Sequence, residues 1–113
     1  MMGRAMVNLS SPVTKGCSGI TILSGAEASR SVASACIKCA KCVSACPMSL
    51  EPYYLSKLSR KGAWDVVESH NITDCIECGS CQFTCPAHRP LLDNIRQGKS
   101  TVMGIIRARA AKK

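Results

Sequence analysis

Cys36-Ile37-Lys38-Cys39-Ala40-Lys41-Cys42-Val43-Ser44-Ala45-Cys46-Pro47 is followed, 39 residues on, by Cys75-Ile76-Glu77-Cys78-Gly79-Ser80-Cys81-Gln82-Phe83-Thr84-Cys85-Pro86. Both stretches read C-x2-C-x2-C-x3-C-P, and Ala35-Cys36-Ile37-Lys38-Cys39 parallels Asp74-Cys75-Ile76-Glu77-Cys78 around the first ligand pair. Two copies are too few for a solenoid, which needs three or more repeats to bury a continuous core. They describe a duplicated unit whose halves face each other across a pseudo-twofold.

The spacing carries chemistry. A four-iron, four-sulfide cubane takes one thiolate per iron, so each cluster needs four cysteines. Two-residue spacers let a C-x2-C-x2-C loop curl round three corners and aim its amides at the sulfides. In two-cluster ferredoxins the cysteine before proline ligates the other cluster. Applied here, one cluster takes Cys36, Cys39, Cys42 and Cys85, and the other takes Cys75, Cys78, Cys81 and Cys46. Pro47 and Pro86 fix the backbone as it leaves each cluster, while Ala40, Gly79 and Ser80 leave room for close approach. Structural zinc is the plainer alternative, but it uses pairs of C-x2-C, and two longer runs each closed by Cys-Pro leave surplus thiols. Disulfides are rarer still in a reducing compartment.

Composition agrees with a metal staple. Hydrophobic residues make up 46% of the 113, yet nine are cysteines and only Tyr53, Tyr54, Trp64 and Phe83 are aromatic. A small core so poor in large side chains usually needs a disulfide or metal, and a charged fraction of 19% argues against disorder. The formal net charge is +8; eight thiolates on two four-iron clusters would bring it to roughly +4. No aromatic interleaving suggests nucleic-acid binding. There is no apolar run long enough to span a membrane and no signal peptide at the start, which points to a cytoplasmic setting. No Ser–His–acid set, phosphate-binding glycine loop or carboxylate pair stands out as a catalytic site.

Outward from the motifs, Ile20-Thr21-Ile22-Leu23 before Gly25 is a short β-favouring run, and residues 1–30 read as an arm or remnant. Pro52 opens a predicted helix with Tyr54, Leu55 and Leu58 on one face, and Lys61-Gly62 stops it. Ala63 to His70 reads as a second helix with Trp64 and Val67 inward, ended by Asn71. Leu91, Leu92 and Ile95 continue the helical stripe until Gly98, which is expected to interrupt it, and Ser100 to Lys113 reads as a frayed basic helix. Trp64, Tyr53 and Tyr54 are expected to pack over a cluster. Cys17, the ninth cysteine, reads as a small buried or half-buried side chain, and His70 and His88 as surface or hydrogen-bonding residues. The organisation expected is therefore 1–30 arm, 31–97 two-cluster domain, 98–113 tail.

The flanking words narrow this further. Ala35 to Met48 with Pro52-Tyr53-Tyr54-Leu55, Asn71-Ile72-Thr73-Asp74 leading into Cys75 to Cys81, then Cys85-Pro86 and Arg89-Pro90-Leu91-Leu92, resemble the C-terminal part of RnfC, a component of the Rnf (Rsx) electron-transport complex. Met1-Met2-Gly3-Arg4 and Lys15-Gly16-Cys17-Ser18-Gly19-Ile20 resemble the stretch joining the β-rich domain of RnfC to its ferredoxin domain. The resemblance implies a mainly α, α-helical ferredoxin-type domain binding two 4Fe-4S clusters, with a short β-rich N-terminal arm. It implies electron transfer in a peripheral subunit on the cytoplasmic side of the membrane, with the other Rnf subunits as partners and ferredoxin and NAD as ultimate redox partners. The complex couples that electron flow to ion translocation. FMN and NADH would belong to a region preceding residue 1, and none of their ligands can be assigned here. A free soluble ferredoxin, an iron–sulfur subunit of another dehydrogenase and a zinc-stapled binding module are the alternatives.

Overall fold

The computed structural model describes residue 6, residues 8–28 and residues 31–112. Among them every regular element is helical: α1 (Gly25–Ala28), α2 (Lys41–Ser44), α3 (Pro52–Lys61), α4 (Trp64–Ser69), α5 (Ser80–Phe83) and α6 (Leu91–Ala111), with a 3₁₀ turn at Ile72–Asp74.

The sequence repeat is a backbone repeat. Lys38 and Glu77 (φ 55° and 57°), Ala40 and Gly79 (58° and 82°), and Ser49 and His88 (53° and 48°) are left-handed in pairs, each pair 39 residues apart. Side chains disfavour this region, so its recurrence at non-glycine positions marks a path imposed by the surroundings. Ala40 and Gly79 each launch a single helical turn. The Ala40 carbonyl accepts from Val43 and Ser44 N–H at 2.9 and 3.1 Å, and the Gly79 carbonyl accepts from Gln82 and Phe83 N–H at 3.0 Å each. The long helices start in register too, α3 at Pro52 and α6 at Leu91.

Pro52 sits at the first position of α3, where its missing N–H costs nothing. Gly62 (φ 71°) ends that helix, with Ala63 N–H returning 3.3 Å to the Leu58 carbonyl in a Schellman arrangement. α4 closes at left-handed Asn71, and the 3₁₀ turn then delivers the chain into Cys75. Leu55, Val67, Ile72, Ile95 and Val102 form the innermost core, one or two from each of α3, α4, the 3₁₀ turn and α6. No aromatic side chain is fully buried there.

Two expectations change. Gly98 does not interrupt the last helix; α6 runs through it for 21 residues. Gly98 lies where α6 crosses α3, and a Cβ at that point would collide with Ser59 Oγ, lie 2.8 Å from Ser59 Cβ and lie 3.1 Å from Ile72 Cδ1. Ser59 and Gly98 are themselves 39 residues apart, so the pseudo-twofold passes through this contact. Glycine is there for proximity, and the tail expected from residue 98 is packed beyond it: Val102 is fully buried and Ile106 lies against the core. Arg109 pairs with Glu68 at 2.8 Å and Asp65 at 3.3 Å, holding the last turns of α6 to α4.

The β-rich arm is the second change. Residues 20–23 form no strand, because no other segment of the described chain pairs with them, and Ile20, Ile22 and Leu23 are exposed. Residues 1–5, 7, 29 and 30 of the arm lie outside the described residues.

Gly98→Ala should lower stability despite the gain of about 1 kcal/mol in helix propensity. Overpacking of a tight crossing costs about 1–3 kcal/mol, so a net loss of up to about 2 kcal/mol in thermal or denaturant unfolding is expected. Adding Ser59→Gly should return part of it. A variant as stable as the parent would show that the crossing is not tight.

Candidate metal centre

Eight of the nine cysteines fall into two groups. Cys36, Cys39, Cys42 and Cys85 line one cavity of about 380 Å³, together with Tyr53 and Tyr54. Cys75, Cys78 and Cys81 form the other group, with Cys46 near enough to Cys75 and Cys81 for charge on one thiol to oppose ionisation of the next. Cys42 senses Cys36 and Cys85 in the same way. The cysteine before each proline therefore faces the three-cysteine loop of the opposite half.

Local structure explains the crossing. Ser34 N–H donates to the Ala87 carbonyl at 3.0 Å, and Arg89 Nη1 donates to the Ser34 carbonyl at 3.3 Å. This clasp joins the stretch of chain entering Cys36 to the chain leaving Cys85. In the other half, Leu50 N–H donates to Cys46 Sγ at 3.4 Å, and Lys99 Nζ donates to the Cys75 carbonyl at 2.6 Å from α6. Neither the clasp nor the lysine was evident in the sequence. The 39-residue register would have pointed to the left-handed positions, because equivalent residues share a conformation.

Cys42 and Cys81 are buried at the hearts of the two loops, while Cys36 and Cys39 are exposed. Burial pushes the Cys42 and Cys75 thiols up, and pushes Cys81 up to about 11. Removing a thiolate from water disfavours its charge, so without metal these thiols keep their protons. Bound iron supplies the compensating positive charge. Cys78 is shifted the opposite way by Ser80, whose Oγ lies 3.4 Å from its sulfur. A backbone N–H from Tyr53 also reaches Cys42.

The donor set fits a polynuclear iron–sulfur group. Among the described residues no three or more Cys, His, Asp or Glu side chains converge to hold a metal ion. The first four thiols instead line the cavity of about 380 Å³, far more than one metal ion or one water needs. Tyr53 and Tyr54 cover that space as expected, whereas Trp64 packs against Gly62 and the helical core. His70 is half-buried edge-on to Tyr54, with ring centroids 4.9 Å apart, and His88 is exposed. Cys17 is exposed rather than half-buried, in a glycine-flanked turn whose residues are all exposed; its sulfur lies 3.5 Å from the Gly19 carbonyl.

A helical fold with duplicated four-cysteine loops and two crossed thiol groups is the arrangement of a dicluster ferredoxin-type domain. The 4Fe-4S dicluster domain family matches residues 32–89, and the chain belongs to that family. Beyond the domain, the chain is 44% identical over 91% of its length to the C subunit of the Na(+)-translocating ferredoxin:NAD(+) oxidoreductase complex of Acetobacterium woodii. It is 46% identical over 88% of its length to the C subunit of the proton-translocating ferredoxin:NAD(+) oxidoreductase complex of Clostridium ljungdahlii. It is 39% identical over 91% to the C subunit of the ion-translocating oxidoreductase complex of Methanosarcina acetivorans. The chain spans 22–23% of the length of these curated relatives. Among the described residues no helix is long and apolar enough to cross a membrane.

Because thiol–iron bonds stand in for a large core, stripping the metal should unfold most of the domain. Chelation under anaerobic conditions is expected to remove most of the helical circular dichroism, and anaerobic reconstitution to restore it. Full helicity in the stripped chain would show that the aliphatic core suffices.

Proposed function

We propose that this chain carries electrons through two adjacent 4Fe-4S clusters, as the ferredoxin-type part of the RnfC component of an Rnf-type complex. The observation that carries the reading is the crossed thiol arrangement. One cluster would be held by Cys36, Cys39, Cys42 and Cys85, and the other by Cys75, Cys78, Cys81 and Cys46. When bound, such clusters supply one-electron redox chemistry. The chain's own work is to hold them, to shield Cys42 and Cys81 from water, and to leave the Cys36–Cys39 edge open to a partner. Electron transfer asks for no acid, base or nucleophile.

Similarity to the three ion-translocating oxidoreductase relatives supports the wider assignment. In it, the complex moves electrons between ferredoxin and NAD and couples that flow to ion translocation, with this domain peripheral on the cytoplasmic side and its neighbours the other subunits. FMN and NADH would bind outside this chain. Residues 1–30, whose Ile20 to Leu23 run lacks a strand partner here, would connect to a preceding β-rich domain. The cluster-bearing unit would be residues 31–97, with the rest of α6 packed onto it.

Iron and acid-labile sulfide in the anaerobically reconstituted chain should each approach about eight per chain, with a spin-coupled electron paramagnetic resonance spectrum on reduction. Zinc without sulfide would replace electron transfer with a binding module. In the Cys46→Ser variant, iron should fall towards about four, with the cluster on Cys75, Cys78 and Cys81 the one impaired. Loss confined to the Cys36 cluster would refute the crossed ligand sets.

A further inference from the structure

The 39-residue register lets the charge around the two thiol groups be compared position by position. Both long helices carry the same pair of cations: Lys57 and Arg60 on α3 correspond to Arg96 and Lys99 on α6. Each half also carries one carboxylate near the start of its long helix, Glu51 and Asp93. These groups do not separate the sites.

The loops do. Lys38, between the first two cysteines of the first motif, corresponds to Glu77 in the second, and both adopt the same left-handed backbone. Lys41 corresponds to Ser80, Ala35 to Asp74, and Arg89 to Leu50. Lys38, Lys57 and Arg89 line the cavity of the first group, and no Asp or Glu does. In the second group Glu77 draws in both helix cations, Arg96 Nε at 3.0 Å and Lys99 Nζ at 3.8 Å. Glu77 cancels one of these two cations, so the second site is left with one net positive charge from the three groups against the three cations that line the first.

Solvent adds to the difference. Cys36 and Cys39 are exposed, whereas Cys46, Cys75 and Cys78 are half-buried and Cys81 is buried. Backbone N–H groups reach sulfur on both sides, from Tyr53 to Cys42 at the first group and from Leu50 to Cys46, Glu77 to Cys75, Ser80 to Cys78 and Gln82 to Cys81 at the second. Those at the second stabilise its reduced state, so the charge difference has to outweigh them. One arriving electron adds one negative charge to the site that takes it. Nearby cations and water stabilise that charge; a carboxylate and burial oppose it.

We infer that the two clusters are unequal, that the one on Cys36, Cys39, Cys42 and Cys85 has the higher reduction potential, and that residues 38 and 77 set much of the gap. The inference rests on the two-cluster reading above and deepens it. Transfer between the pair then oxidises the Cys75 cluster and reduces the Cys36 cluster by one electron. The electron comes to rest at the exposed, basic edge of the domain.

Anaerobic potentiometric titration of the reconstituted 113-residue chain, followed by electron paramagnetic resonance, tests this. Two one-electron couples should separate by at least tenfold in the electron-sharing equilibrium, about 59 mV. Lys38→Glu should lower the upper couple, and Glu77→Gln should raise the lower one, so each variant narrows the gap. Lys38→Gln, which removes one charge and adds none, should move the upper couple the same way by less, and it decides the matter if Lys38→Glu fails to hold both clusters. Couples that coincide in the parent, or a lysine variant that shifts only the lower couple, would overturn the inference while iron and sulfide near about eight leave the two-cluster reading standing. A parent chain that takes up one cluster or none overturns both.

Discussion

A thiolate inside a protein has to sit beside positive charge, and this chain places one cysteine at the buried centre of each half. Cys42 and Cys81 have little water around them, and burial holds both as neutral thiols until something replaces the proton. Bound iron would do so, and its bonds to the thiols would hold the two halves together. The rest of the architecture follows from that requirement. Loops must curl through left-handed residues to bring three cysteines round one site, and short helical turns at α2 and α5 must follow at once. In the proposed ligand sets the fourth cysteine comes from the opposite half, which would make the halves mutually dependent.

The aliphatic core supports this arrangement without competing with it. Leu55, Val67, Ile72, Ile95 and Val102 come from α3, α4, the 3₁₀ turn and α6 rather than from the cysteine loops, and none is aromatic. The close approach at Ser59 and Gly98 brings the two long helices together on the pseudo-axis. Asn94 Nδ2 donates to Ser56 Oγ at 2.8 Å, giving the buried hydroxyl of α3 a partner on α6. Helices held this near their symmetry axis carry the loops at their ends into facing positions. Crossing geometry and cysteine geometry are therefore two ends of one lever.

How much of this the sequence disclosed depended on the range of the interaction. Cysteine spacing, Pro52, Gly62 and Asn71 are local signals, and each marked its turn or helix end within a residue or so. Gly98 was misread because a glycine in a helical stripe looks like a break until the partner helix is known. Its meaning lies in Ser59, a residue 39 positions away. The same blindness made the basic end look like a frayed tail, when Val102 and Arg109 find their partners on other elements. Ile20 to Leu23 misled in the opposite sense: a β-favouring run is only half a strand pair, and the described chain offers no other half. The duplicated cysteine spacing was legible, but the clasp from Ser34 to Ala87 and Arg89 was not, being made of backbone atoms and one guanidinium.

Duplication normally yields two equivalent sites, and the backbone here has kept that equivalence down to paired φ angles. What has diverged is charge, at positions where the backbone was free to accept any side chain that tolerates the left-handed region. Lys38 and Glu77 occupy the same turn beside the same pair of cysteines with opposite sign. Selecting charge at such positions adjusts each site's electrostatics without disturbing ligand geometry, because neither side chain belongs to the core. A symmetric pair of clusters would pass an electron either way with equal ease. Opposite charges on equivalent turns give the pair a direction, and α6 reinforces it by lending Arg96 and Lys99 to Glu77 while their counterparts on α3, Lys57 and Arg60, face no carboxylate on Lys38's turn. The scaffold supplies proximity through symmetry, and polarity through the few residues at which that symmetry is broken.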